Sequence, residues 1–458
     1  MFPQRSATQY DRKSHRQSPD QRISDMVKSK SATTGHADDS RLRYRDAFAV
    51  PEFRVLFASH VISMLGTVIA EFSLSVLVYR RTGSPLLTAL VFALAFTPHL
   101  FAGALFSSLV DRVPARRLLV SCNLATTLLA AAMAMPGMPV FALLCLVFVM
   151  GSISPIFAGT RAATLAEILP DAAYVPGRSL FRLVAQGAQI VGFGGGGLLL
   201  VVMSPSSALW IQSAMFLVSA VLLRLGTARR PAGGRTDSSL LRDSITGLRG
   251  ILAIAPLRRI LFLGWAVPAL SVFAEALANP YAHAHGFTSV ELGIMMAMLP
   301  LGTVLGEFLA MWRLTASRQR GLVPYLAALV FVPVLSFWFQ PSLAIVAPIL
   351  LLSGMGFAYH LGLDRLLIEV APEHLRSRAL AVQTAGLMFW QGLGFVTAGA
   401  LAQFAPASAV VSVSGAVGLL ATLCLRPRTE DTQPSRPTAV GNPRDQAPRG
   451  RLRSDRRA

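Results

Sequence analysis

Two glutamates stand inside apolar stretches long enough to cross a bilayer, and an ionisable group in such a place is costly unless it faces a cavity or a partner. Glu71 lies on a stripe with His60, Ser63, Thr67 and Ser75, spaced every three or four residues, while Ile62, Leu65, Ile69, Phe72 and Val76 occupy other faces. Glu275 lies on a similar stripe with Ser271, Asn279 and His283. A carboxyl that lines a cavity can take a proton from one solvent and release it to another, which is the chemistry of proton coupling. Glu307 and Asp364 are second candidates, and Asp364, next to Arg365, also suits an interfacial charge network. Polar groups that could contact a solute are His60, Thr67 and Asn279 on these stripes, Gln186 and Gln189 on one face of "AQGAQIVGFGGGGLLL", and Trp390 with Gln391. Each has a plainer alternative, a bond to a neighbouring helix, which the sequence leaves open.

The elements that position these groups follow from composition. The chain has 458 residues, 53% hydrophobic and 14% charged, with a mean hydropathy of +0.54, too apolar for soluble domains of this length. A spanning helix needs about 20 mostly apolar residues. Twelve stretches qualify: 55–79, 86–110, 118–135, 138–160, 180–203, 207–225, 259–282, 291–312, 322–340, 342–363, 379–403 and 406–425. The expected fold is an all-α membrane protein with twelve transmembrane helices in two pseudo-symmetric six-helix bundles, 48–225 and 259–426. A basic linker, 226–258, joins them. Residues 1–47 and 427–458 read as disordered polar tails, and the first of them contains no apolar run of the kind a secretory leader needs.

Charge supports this topology. The net charge of +19 could suggest nucleic acid, but of the 42 Lys and Arg all except Arg80 and Arg81 fall in the tails, the linker and alternate loops. A nucleic-acid binder has no reason to sort its cations by alternate loops. Retention of Lys and Arg in the cytoplasm therefore puts both tails on the cytoplasmic side of the cell membrane. Apart from Lys13, Lys28 and Lys30 the cations are arginine, the bias of a high-GC, bacterial genome.

Other chemistries find little footing. Cys122, Cys145 and Cys424 have neither paired nor metal-ligand spacing, and His283 with His285 lacks a third ligand, so neither metal nor cofactor is expected. There is no His-Glu-x-x-His, Gly-x-Ser-x-Gly or Gly-x-x-x-x-Gly-Lys motif, which speaks against an enzyme and against an ATP-driven pump.

The two halves repeat each other. Glu71 and Glu275 are 204 residues apart, as are Arg161 and Arg365. The same offset carries Asp111 to Thr315 in the basic loop "WRLTASRQR". "AEILPDAAYVPGRSL" and "IEVAPEHLRSRAL" share Glu, Pro, Arg and Leu in order. Parallel six-helix repeats place a solute path between the halves, near the midplane.

With these features the chain resembles the major facilitator superfamily, over about Pro51 to Arg426. Its signature loop, Gly-x-x-x-Asp-Arg-x-Gly-Arg-Arg, is met by Asp111, Arg112 and Arg116 in "SSLVDRVPARRLLV", with Ser107, Pro114 and Ala115 at variance. The stretch "RAATLAEILPDAAYVPGRSL" is similar to the enterobactin-exporter and macrolide-efflux branch. The resemblance implies a cytoplasmic gate in which Asp111 meets charges of the other half, with Arg112, Arg116, Arg161, Arg365 and Arg378 around it. Members near that branch carry an acid directly after Ser-x-x-Gly in the first span. Here Thr67 holds that place, with Glu71 one turn on. Ala188, Gly192, Gly196 and Gly197 fit the small positions of the antiporter signature, where Phe193 replaces its proline. That likeness implies antiport, while Gly192, Gly196 and Gly197 also suit close helix packing.

The expectation is a secondary transporter, acting as a monomer with a small amphipathic molecule (drug, siderophore or metabolite), protons and lipids as partners and no nucleic acid. An uptake permease and a sensor or scaffold without transport are the alternatives.

Overall fold

The computed structural model describes residues 45–96, 98, 113–230 and 251–426. Nine helices among them are long and apolar enough to cross a membrane: Pro51–Thr82, Val140–Ile168, Pro176–Val202, Pro205–Gly226, Ala255–Ala284, Ser289–Arg313, Leu343–Val370, Arg378–Leu401 and Ala407–Leu425. Ala115–Met133 and the shorter apolar segments Pro85–Phe96 and Val323–Phe339 complete twelve spans among the described residues, here numbered first to twelfth in chain order. The chain is an all-helical membrane protein of the expected class. The remainder of the second span, with Asp111 and Arg112, lies outside the described residues.

Local sequence explains where the spans stop. Gly83 takes φ +61°, which a residue without Cβ adopts freely, and its N–H bonds the Tyr79 carbonyl to end the first span. Pro205 opens the sixth span, with Ser204 accepting from the Ser207 amide. Thr288 and Glu291 form a reciprocal capping box at the start of the eighth. At the other end, the bidentate pair of Arg230 with Glu52, at 2.7 and 2.8 Å, ties the chain beyond the sixth span to the start of the first.

Three spans of the second half are interrupted. The seventh bends at Leu277, the ninth passes into a 3₁₀ helix over Pro333–Phe339, and the tenth breaks at Phe357 and Ala358. Irregular backbone at such depth needs protein or a cavity to satisfy it.

Packing follows a two-fold plan. The first span packs on the fifth and sixth, and the seventh on the eleventh and twelfth. Between the halves, the fifth span packs on the eighth and the second on the eleventh. Adding six to each number, modulo twelve, exchanges these two contacts, as a two-fold relation requires. The first and seventh spans are the most buried of the nine, 61% and 78% over their apolar windows, so the two polar stripes run through the middle of the molecule.

Candidate functional site

The site is built around the end of those stripes. One turn beyond each glutamate, Ser75 and Asn279 meet across the halves: Asn279 Nδ2 donates to Ser75 Oγ at 2.9 Å, between residues 204 apart in sequence. Another turn on, the Tyr79 and His283 rings meet edge to face, again at equivalent positions. Equivalent residues in contact mark the axis relating the halves. Around it, Phe395 stacks on Phe92 and Phe96, Arg80 donates to Ser289, and Gln403 to Ser84. These contacts close the end of the molecule opposite Pro51 and Arg426, here the far end. Apolar residues of both halves form one core there, with Phe72, Phe92, Tyr281 and Phe395 among its fully buried rings.

Beneath this seal lie two adjoining cavities that share Gln189 and Met388. The larger, about 560 Å³, runs between the halves and is lined by Gln186, Glu275, Glu307, Asp364 and Gln391, with apolar walls that include Met295 and Leu387. Arg182 crosses it to bond Glu307 at 3.0 Å, an ion pair between the fifth and eighth spans. Asp364 and His360 lie within electrostatic reach of Arg182. His360 Nε2 and Gln383 Oε1 are buried without a hydrogen-bond partner among the described residues, although both residues line the cavity. A polar solute could bond both.

The smaller cavity, about 350 Å³, lies within the first half and is lined by His60, Thr67, Glu71, Asn123 and Arg161. Glu71 lines the smaller cavity and Glu275 the larger, within electrostatic reach of each other. Serines and an asparagine fix the wall behind them: Ser219 joins Ser59 at 2.6 Å and Asn123 at 3.1 Å, linking the first, third and sixth spans. On the glycine face, a Cβ on Gly192 would strike Val68 and one on Gly196 Phe72, both in the first span. One on Gly197 would lie 2.6 Å from the Ser289 carbonyl of the eighth. The small residues thus serve two seams, one inside the first half and one between the halves.

Several expected residues stand elsewhere. Asn279 belongs to the seal and does not line either cavity. Trp390 is exposed on the outer face, whereas Gln391 enters the cavity, because neighbours on a helix point about 100° apart. The same geometry separates Asp364, in the cavity within electrostatic reach of Arg182, from the exposed Arg365. Arg161 is not at the loop end; the fourth span runs two turns past it to Ile168, and its guanidinium bonds His60 inside the smaller cavity. Arg116 donates to the Arg224 carbonyl within the first half, and Arg378 is exposed. Arg182 and His360 were not among the expected site residues. Arg182 stands four and seven residues before Gln186 and Gln189, and His360 four before Asp364, helical spacings that place each pair on one face.

A family model of the Major Facilitator Superfamily matches residues 56–362 and 268–457. The chain belongs to the Major Facilitator Superfamily. Among superfamily relatives, the multidrug efflux pump Tap of Mycolicibacterium fortuitum is 26% identical over 356 residues, which cover 72% of this chain and 84% of that protein. Solved superfamily-like structures share the fold: the nucleoside transporter NupG aligns with a TM-score of 0.66 at 12% identity, covering 81% of this chain and 98% of that one. A bacterial homologue of the iron transporter ferroportin, in its inward-facing state, aligns at 0.62 with 15% identity, covering 82% and 97%. As a member of this superfamily the chain is a multi-pass membrane transporter and not an enzyme, and its partner is a small molecule.

Proposed function

We propose that the chain exports small amphipathic molecules from the cytoplasm in exchange for protons, by alternating access between the bundles 48–225 and 259–426. The observation that carries this reading is the placement of Glu71 and Glu275, at the same position of each half: each lines one of the two adjoining cavities under the far-end seal. Retention of arginine in the cytoplasm supports an orientation in which the closed far end faces outside and the cavity is reached from the cell interior. Apolar walls hold the body of the solute, and Gln186, Gln189 and Gln391 orient it. When the halves rock, the Ser75–Asn279 and Phe92–Phe395 contacts part and the carboxyls meet the outer solvent. Protons taken up there favour release of a cationic solute and return inward with the empty carrier. The likeness to a multidrug efflux pump supports the outward direction.

Proteoliposomes with an imposed proton gradient test this with ethidium as the transported dye. Wild-type protein should move ethidium against its gradient, and the double variant Glu71→Gln, Glu275→Gln should lose at least about tenfold of the gradient-driven rate while still binding dye. Undiminished proton-driven movement by the double variant would remove the two carboxyls from the coupling.

A further inference from the structure

Arg161 is the most unusual charge in the molecule. Its guanidinium lies over the rings of Phe157 and Phe181, 5.6 and 5.1 Å from their centroids, at the side of the smaller cavity. Its polar contact is with His60 Nδ1, and His60 Nε2 in turn approaches the Phe181 carbonyl at 3.4 Å. Those two bonds require one tautomer: Nδ1 accepts from the guanidinium and Nε2–H donates to the carbonyl. His60 is then a neutral group that aims Arg161 without balancing its charge. Among the described residues no carboxylate pairs with Arg161, whereas Arg182, Arg230 and Arg320 each have one. Arg161 is half-buried, its one hydrogen bond among the described residues is to His60, and its remaining N–H donors open on the smaller cavity. An anion that enters the smaller cavity therefore meets these donors.

We infer that Arg161 receives an anionic group of the transported molecule, so that the substrate class is zwitterionic amphiphiles. The geometry sets the two ends apart. Arg161 stands in the first half's cavity, while Glu275, Glu307 and Asp364 line the second, with Arg182 the single cation on that wall among the residues lining it. Gln189 and Met388 belong to both cavities, so one elongated molecule can lie through the junction with a carboxylate or similar anion on Arg161 and a cationic group against the acids. A planar carboxylate suits the free fork of the guanidinium, and the Phe157 and Phe181 rings that flank it suit the adjoining carbon skeleton.

This inference rests on the transport reading, so the test separates the two. Rhodamine B carries a free carboxylate beside its cationic ring system, and its ethyl ester is the same dye without the anion. Binding of each to the full-length protein in a non-ionic detergent, followed by fluorescence anisotropy, should favour rhodamine B at least tenfold. Arg161→Gln should abolish that preference by weakening rhodamine B alone, and Arg161→Lys should keep part of it. Proton-driven movement of both dyes into inverted vesicles is measured in parallel. Equal binding of the two dyes by wild-type protein, equal loss of both in Arg161→Gln, or binding of neither overturns the inference. Movement of the ester without any preference for rhodamine B overturns the inference and leaves the transport reading standing, and a preference for rhodamine B without gradient-driven movement does the reverse.

Discussion

The two halves descend from one plan and differ in two ways that matter. The first half keeps its long spans continuous, with 32 residues in Pro51–Thr82 and 32 in Asp171–Val202, and holds Arg161 inside a cavity of its own. The second half interrupts its seventh, ninth and tenth spans, and it gathers Glu275, Glu307 and Asp364 on one wall. Arg365, the counterpart of Arg161 by sequence, is exposed. Duplication therefore supplies the frame and the equivalent carboxyls, and divergence adds Arg161 and Arg182 on the first half and Glu307 and Asp364 on the second. A symmetric pore would present the same groups from both sides; this molecule presents different groups from each half.

That comparison can be broken first at the seam between the halves. Gly197 faces Gly293, and a Cβ on Gly197 would lie 2.6 Å from the Ser289 carbonyl, so Gly197→Leu should part the fifth and eighth spans. Overpacking of this kind costs roughly 1–3 kcal/mol, and transport should fall by more than about tenfold, read as dye movement alongside the unfolding midpoint. Gly194, whose Cβ position is open, is the control: Gly194→Ala should leave both unchanged. A smaller effect is expected at the Arg182–Glu307 ion pair, which joins the halves inside the cavity. Arg182 is 60% exposed in its pair with Glu307, so Arg182→Gln should change stability by at most about 1 kcal/mol. The transport rate should change several-fold, because the pair links two elements that move relative to each other. In a double-mutant cycle with Glu307→Gln, the second substitution should add little to the first.

Much of this was legible in the sequence because a bilayer forces long apolar helices and sorts arginines. The twelve spans follow, with the first reaching three to four residues past its expected ends and the tenth extending to Val370, where Arg320 pairs with Glu369 beyond the apolar stretch. The paired stripes of Glu71 and Glu275 were legible for the same reason, as periodicity. What sequence left hidden is rotation about each helix axis. Trp390 and Gln391, or Asp364 and Arg365, are neighbours in the chain and face different surroundings, and hydropathy does not separate them. Asn279 sits on the correct stripe but one turn too far toward the seal, where Ser75 meets it. Arg161 was read from its place near a basic loop, and only the length of the fourth span past it shows that it points inward.

The central claim is that one carboxyl from each half exchanges protons for the solute. Proton release on dye binding measures this most directly, using purified protein in weakly buffered detergent solution with a pH-sensitive fluorophore and ethidium as ligand. Wild-type protein should release protons as ethidium binds, and Glu71→Gln, Glu275→Gln should bind the dye with no release. Release of the same size from the double variant would contradict the account.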